Sequence, residues 1–83
     1  MRIEVDPHAL IRAEERGTNE VEIKETVRTG EKFPAKKRRS EFRQVFEYGK
    51  KWEGKHYEHK LLHVFAAEEL NGWYVVTVIV EFF

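Results

Sequence analysis

The sequence predicts a single α+β domain of two short N-terminal helices packed on a three- to four-stranded antiparallel sheet. Three observations lead there. Residues 7–30 carry two short helical patterns, each with a cap at both ends. Beyond about residue 41 apolar and polar residues alternate with period two. An Asn71-Gly72 pair then separates two long apolar runs, the strongest short-range hairpin signal. The 83 residues suffice for one domain, residues 1–83. With 41% apolar and 13% aromatic residues the chain can fill one core, for a net stability of about 5 kcal/mol.

Met1 to Val5 can form a short strand. Asp6-Pro7 reads as an N-cap followed by proline at the first helical position, where its missing N–H is no loss. The first helix runs from about Pro7 to Arg16 and stops at Gly17. Asn19 caps the second, with Glu22 in the capping-box position, Glu20 and Lys24 as an i,i+4 pair, and Ile23 and Val27 as its buried stripe. Gly30 ends it. From Phe33-Pro34 to Ser40 the chain reads as a polar, basic connector containing Lys36, Lys37, Arg38 and Arg39. A strand follows with Phe42, Phe46 and Tyr48 on one face and Glu41, Arg43 and Glu47 on the other. Gly49 to Gly54 reads as a turn or irregular extension. The final strands span about Glu58 to Leu70 and Trp73 to Phe82.

With Asn71-Gly72 as the two-residue loop, Leu70 faces Trp73, Ala67 faces Val76, Phe65 faces Val78 and His63 faces Val80. Tyr74, Val76, Val78, Val80 and Phe82 then form the face expected to meet the helices, and His63 lands on it. Leu62, Val64, Ala66, Trp73, Val75, Thr77 and Ile79 fall on the other face. That face is too apolar for open water, which implies a cover, a dimer surface or a groove.

Net charge is zero, against a general nucleic-acid coat protein, but the charges are segregated. Residues 32–60 hold ten basic and four acidic side chains, between acidic flanks, which suggests an anionic partner. The absence of cysteine excludes disulfides and thiolate chemistry. No apolar run reaches membrane-spanning length and the start lacks a signal-peptide core, so the cytoplasm is the default expectation. No phosphate loop or cofactor fingerprint occurs, and no cofactor is expected.

His8, Arg12 and Arg16 recur at i, i+4 and i+8 beside Ala9 and Ala13. His8 falls in the first helical turn, where the dipole disfavours a cation and suits an imidazole to act as a base, with the arginines placed to hold a phosphate. The same pattern is also met by a surface histidine beside arginines paired with Glu15. Arg38, Arg39 and Arg43 stand near Phe42 and Phe46, an interleaving used for single-stranded nucleic acid and equally found in solvated connectors. His56, His59 and His63 look like a metal cluster, but on a strand His59 and His63 lie about 13 Å apart, too far to share an ion. His63 then reads as a hydrogen-bonded core residue or as a general acid or base.

The string Asp6-Pro7-His8-Ala9-Leu10, with Arg12 and Glu15-Arg16-Gly17, a second helix ending Thr29-Gly30-Glu31, and the pair Leu62-His63-Val64 and Val75-Val76-Thr77-Val78, resembles a family known as a domain of unknown function, number four-two-five-eight. The resemblance spans nearly the whole chain. It implies a distant relation to RelE-type ribonuclease toxins, and with it RNA as substrate and an antitoxin-type protein partner. By that analogy His8 and Arg16 belong to the site, with Thr77, Arg39 and Arg43 beside them.

Two functions follow as expectations. One is a metal-independent endoribonuclease with His8 as base, His63 or Tyr57 as acid, and Arg16 and Arg43 as phosphate clamps. The other is a non-catalytic interaction module, expected to form a homodimer through the apolar outer sheet face. Simple RNA binding by the basic connector is a third.

Overall fold

The computed structural model describes every residue from Met1 to Phe83. Strand β1 (Arg2–Val5) leads into helices α1 (Pro7–Arg16) and α2 (Glu20–Thr29); strands β2 (Glu31–Pro34), β3 (Arg39–Trp52), β4 (Lys55–Glu69) and β5 (Gly72–Phe82) follow. They form one five-stranded sheet in the order β1-β5-β4-β3-β2, with β1 parallel to β5 and the other pairs antiparallel.

This overturns the expected three- to four-stranded antiparallel sheet with two N-terminal helices on it. The sheet is mixed, and the helices are inserted between its first and second strands. Met1 to Val5 joins in parallel because the two-helix excursion carries the chain away and lets it re-enter the sheet at the far edge. Residues 31–34, whose Phe33-Pro34 reads from sequence as the start of the connector, add the opposite edge, where Pro34 and its missing N–H are tolerated. Gly49 to Gly54 is the end of a long hairpin that turns at Glu53 and Gly54, both at positive φ.

The helices occupy their expected spans for the expected reasons. Asp6 accepts a hydrogen bond from the His8 backbone N–H at 2.8 Å, and Asn19 from that of Glu22 at 2.9 Å. Gly17 closes α1 in the left-handed conformation. It also admits Phe82 and Trp52, whose rings stack on each other and leave no space for a Cβ.

The last hairpin departs from its expected register. Glu69 pairs with Gly72, so Leu70 and Asn71 form the loop and Gly72 is the first strand residue. The glycine serves packing there: a Cβ would lie 1.8 Å from the Arg2 carbonyl oxygen on β1. Further along, Ala66 pairs with Val75 but Phe65 with Thr77, so Val76 is an unpaired bulge residue. The one-residue loop shift moves the pairing by two residues and keeps side-chain parity, whereas the bulge reverses it for the rest of β5.

The buried face therefore comprises Leu62, Val64 and Ala66 of β4 with Trp73, Val75 and Val78 of β5. These pack with Phe42, Ile3 and the helix residues Ala9, Ala13, Ile23 and Val27 in one core. Most of the face expected to need a dimer partner is thus the core, because the helices cover it. His63, expected to face the helices, points the other way.

The two helices are fastened to the sheet by Lys60, 5% exposed. Its ammonium donates to the Gly17 carbonyl at 2.8 Å and lies 2.7 Å from a Glu22 carboxylate oxygen that also accepts from Thr18. Substitution of Gly72 by alanine forces β1 off β5, and we expect a loss of about 2–4 kcal/mol in urea denaturation, whereas alanine at Gly54, whose Cβ would meet nothing, costs about 1 kcal/mol from its positive φ alone.

Candidate functional site

Three features of the local chain build the site. Helix α1 buries Ala9 and Ala13, which turns His8 and Arg12 outward along the edge of β5 beyond the end of β1. The bulge at Val76 aligns Thr77 with Phe65 on the open face of the sheet. The β2–β3 connection closes tightly, with Lys37 and Arg38 both at φ 61°, a left-handed conformation unusual away from glycine and asparagine.

His8, Ala9, Arg12, Val76 and Thr77 line a depression of about 240 Å³. A second, of about 440 Å³, is lined by Ala35, Lys36, Lys37, Arg39, Glu41, Phe65 and Thr77. Thr77 belongs to both. His8 and Arg12 border it from the helix side at the edge of β5, and the cations of the β2–β3 turn border the depression on the open face. Arg12, Lys36, Lys37 and Arg39 make no ion pair, each having every carboxylate oxygen beyond 4.0 Å.

Beneath this surface runs a charge network. Arg43 donates through Nε to Glu41 Oε2 at 2.7 Å and through Nη2 to Oε1 at 3.1 Å. The His63 Nδ1 lies 2.6 Å from the same Oε2, and its Nε2 lies 3.0 Å from Glu81 Oε1. Both ring nitrogens thus face carboxylates, and an imidazolium would donate to each. The Arg43 guanidinium lies 4.1 Å over the Phe33 ring. A partly exposed charge network on an open sheet face is held by neighbours on β3, β4 and β5 together.

Of the sequence-predicted residues, His8, Arg12, Arg39 and Thr77 meet around the two depressions, and Arg43 and His63 join through Glu41. Arg16 does not present a free guanidinium: its Nη1 donates to the Val78 carbonyl at 2.5 Å, tying α1 to β5. Arg38 lies in the turn and lines neither depression. Tyr57 lies apart, against Phe82 with ring centroids 5.5 Å away. His59 stacks on Phe83, well separated from the environment of His63. Sequence reasoning missed Glu41, Glu81 and Phe65. The alternation of β3 puts Glu41 opposite Phe42, but its partners lie on strands whose pairing local sequence does not set. Lys36 and Lys37 were visible as a basic run without a destination.

A family model described as a domain of unknown function (DUF4258) matches residues 5–80, and the chain belongs to that family. No curated protein and no solved structure matches, so the implied likeness to RelE-type toxins has no counterpart there. No helix is long and apolar enough to cross a membrane.

Two hydrogen-bonded groups in and beside the site respond to pH. Arg43 first, and then His63, hold the Glu41 carboxyl below its usual 4.5 against the opposing effect of burial. Tyr74 donates to Asp6 Oδ2 at 2.7 Å and lowers that carboxyl, while its own phenol is raised above 10.0. For a lowered carboxyl the unfolded chain takes up the proton first. Its contribution is therefore present above the unfolded value and lost as pH falls through the folded one. The raised phenol acts oppositely, losing its contribution as pH rises beyond 10.0. Thermal melts should show a falling Tm as pH drops from about 5 to 3, and Glu41→Gln should have a lower Tm at neutral pH with a shallower acid decline.

Proposed function

We propose that this member of the DUF4258 family binds single-stranded RNA across the Thr77 surface and cleaves it there by a metal-independent transfer. The observation that carries the reading is the meeting at Thr77 of two depressions, one bordered by His8 and Arg12 and the other by Lys36, Lys37 and Arg39. A histidine among unpaired cations beside an aromatic ring supplies what a phosphodiester needs: a base, positive charge and a stacking face. The left-handed Lys37 and Arg38 add support, since a turn that would favour glycine or asparagine instead keeps two cations at its tip. The reading puts the protein in the cytoplasm, where RNA is met. An antitoxin-type protein partner would act by covering this surface.

In the proposed reaction His8 takes the proton of a ribose 2′-hydroxyl and the oxygen attacks the adjacent phosphorus. The P–O2′ bond forms and the P–O5′ bond breaks, leaving a 2′,3′-cyclic phosphate and a 5′-hydroxyl. His63, as imidazolium, returns a proton to the departing 5′-oxygen. Its position on the open face favours His63 over Tyr57 for the role of acid. It shares the open face with Thr77, one diagonal step away, about 7–8 Å between backbones, and only the exposed Glu81 side chain occupies its Nε2. Arg12 and Arg39 bear on the charge that develops on the phosphate. Arg16 and Arg43 hold the framework, through Val78 and Glu41.

A second reading, homodimerisation through the open face, is favoured by Val45 and Ile79, exposed at 52% and 44% beside Leu61 and Phe65. Under it Ile79→Glu keeps the fold, while sedimentation shows a wild-type dimer and a monomeric variant. Under the ribonuclease reading, purified protein cleaves mixed single-stranded RNA in excess EDTA. His8→Ala should lower the rate at least about hundredfold and Arg12→Ala about tenfold or more, both with wild-type circular dichroism. Equal cleavage by all three proteins, or none by wild type, would overturn it.

A further inference from the structure

We propose that the depression between the β2–β3 turn and Thr77 is a nucleobase subsite that accepts a base with an exocyclic amino group, cytosine in preference to uracil; the assignment rests on the RNA reading above. Three features of that depression decide it. Phe65 lines it with a ring that is partnered by no other aromatic side chain and no cation, leaving it open to stack on a base. Lys36, Lys37 and Arg39 rim it, in position for the flanking phosphates. Glu41, 8% exposed, forms part of its wall.

The lone pairs of Glu41 give the subsite its direction. Oε2 accepts from both Arg43 Nε and His63 Nδ1, which fills it. Oε1 accepts only from Arg43 Nη2, so one acceptor position stays open on an otherwise anchored carboxylate. An ionised carboxylate offers no proton and can only accept. Cytosine presents an N4 amino donor to it, whereas uracil presents the O4 acceptor at the same position, and two acceptors repel. Because Arg43 and His63 hold Glu41 rigidly, it cannot turn away from the mismatched base. The two pyrimidines stack alike on Phe65 and differ at position 4 and at N3, and a carboxylate oxygen seated at position 4 meets a donor in cytosine and an acceptor in uracil.

The test uses 5′-labelled 2′-O-methyl oligo(C) and oligo(U) of equal length, which cannot be cleaved because the 2′-oxygen is blocked. Fluorescence anisotropy should show oligo(C) bound about tenfold more tightly. Glu41→Gln, whose amide can also donate to O4, should bring the two affinities within about twofold. Phe65→Leu, which leaves Glu41 in place, should weaken both oligomers alike and keep the ratio, so the proposal stays testable if Glu41→Gln fails to fold. Equal affinities in wild type, or a preference for oligo(U), would overturn the subsite. Cleavage of mixed RNA in EDTA, run on the same preparation, separates the two readings: cleavage without base preference overturns the subsite alone, and no binding to either oligomer overturns both. Displacement of oligo(C) by CMP as effectively as by oligo(C) itself would indicate a free nucleotide and overturn the assignment to RNA.

Discussion

The register of β5 is the constraint on which the rest of the molecule depends. It is pinned twice. At one end Gly72 lies so close to the Arg2 backbone that no side chain fits, which locks the parallel β1 strand and shifts the hairpin loop to Leu70 and Asn71. In the middle the bulge at Val76 lets Trp73 and Val75 face the core on one side of it and Val78 on the other. Without the bulge, the strand's inward residues before Val76 would be followed by Thr77 and Ile79 against the helices. The core would then gain a hydroxyl and lose Val78. The bulge keeps the apolar set buried along the whole strand, and in doing so it turns Thr77 outward to meet Phe65.

The helices are placed by a polar contact as well as by apolar burial. Lys60 sits within the core face, between Leu62 and the aromatic end of the hairpin, and its ammonium is shared by the Gly17 carbonyl and the Glu22 carboxylate. A buried charge is tolerated only when its hydrogen-bonding capacity is met. Here the partners come from the end of α1 and the first turn of α2, so the short joint between the helices is fixed over β4. Arg16 repeats the device at the sheet edge by donating to Val78 beyond the reach of β1. Both cations serve the framework, and the consequence for the site is indirect: α1 is held where His8 and Arg12 border Thr77.

A chain of zero net charge can nevertheless present a strongly basic surface, because its charges are sorted by depth. Glu41 is paired internally with Arg43 and in contact with His63, and makes no ion pair with the turn cations. The acidic side chains of the helices are partly occupied with Lys24 and Lys60. Lys36, Lys37 and Arg39 remain without partners at one end of the sheet. Net charge alone hides this local excess of positive charge, which the sorting gathers around one depression.

The sequence by itself determined the two helices, since caps and stops are local chemistry: Asp6 and Asn19 satisfy backbone N–H groups two or three residues away, and Gly17 needs only its own conformation. It also determined that strands follow, that Phe42, Phe46 and Tyr48 share a face, and that the basic run lies between acidic flanks. The family was legible in its short motifs. Tertiary structure decided the sheet's strand number and mixed pairing, because a four-residue strand such as Arg2–Val5 carries no signal for which neighbour it joins. It decided the hairpin register too, where the close approach of β1 to Gly72 outweighed the local preference of Asn-Gly for the loop positions. The bulge at Val76 was invisible because an uninterrupted apolar run buries equally well in either parity until helices and neighbouring strands choose one. The site inherited that uncertainty. His8 and Arg12 could be paired from helical spacing alone, but their meeting with Thr77, Lys36 and Arg39, and the turning of His63 toward Glu41, required a register that only contacts distant in sequence could set.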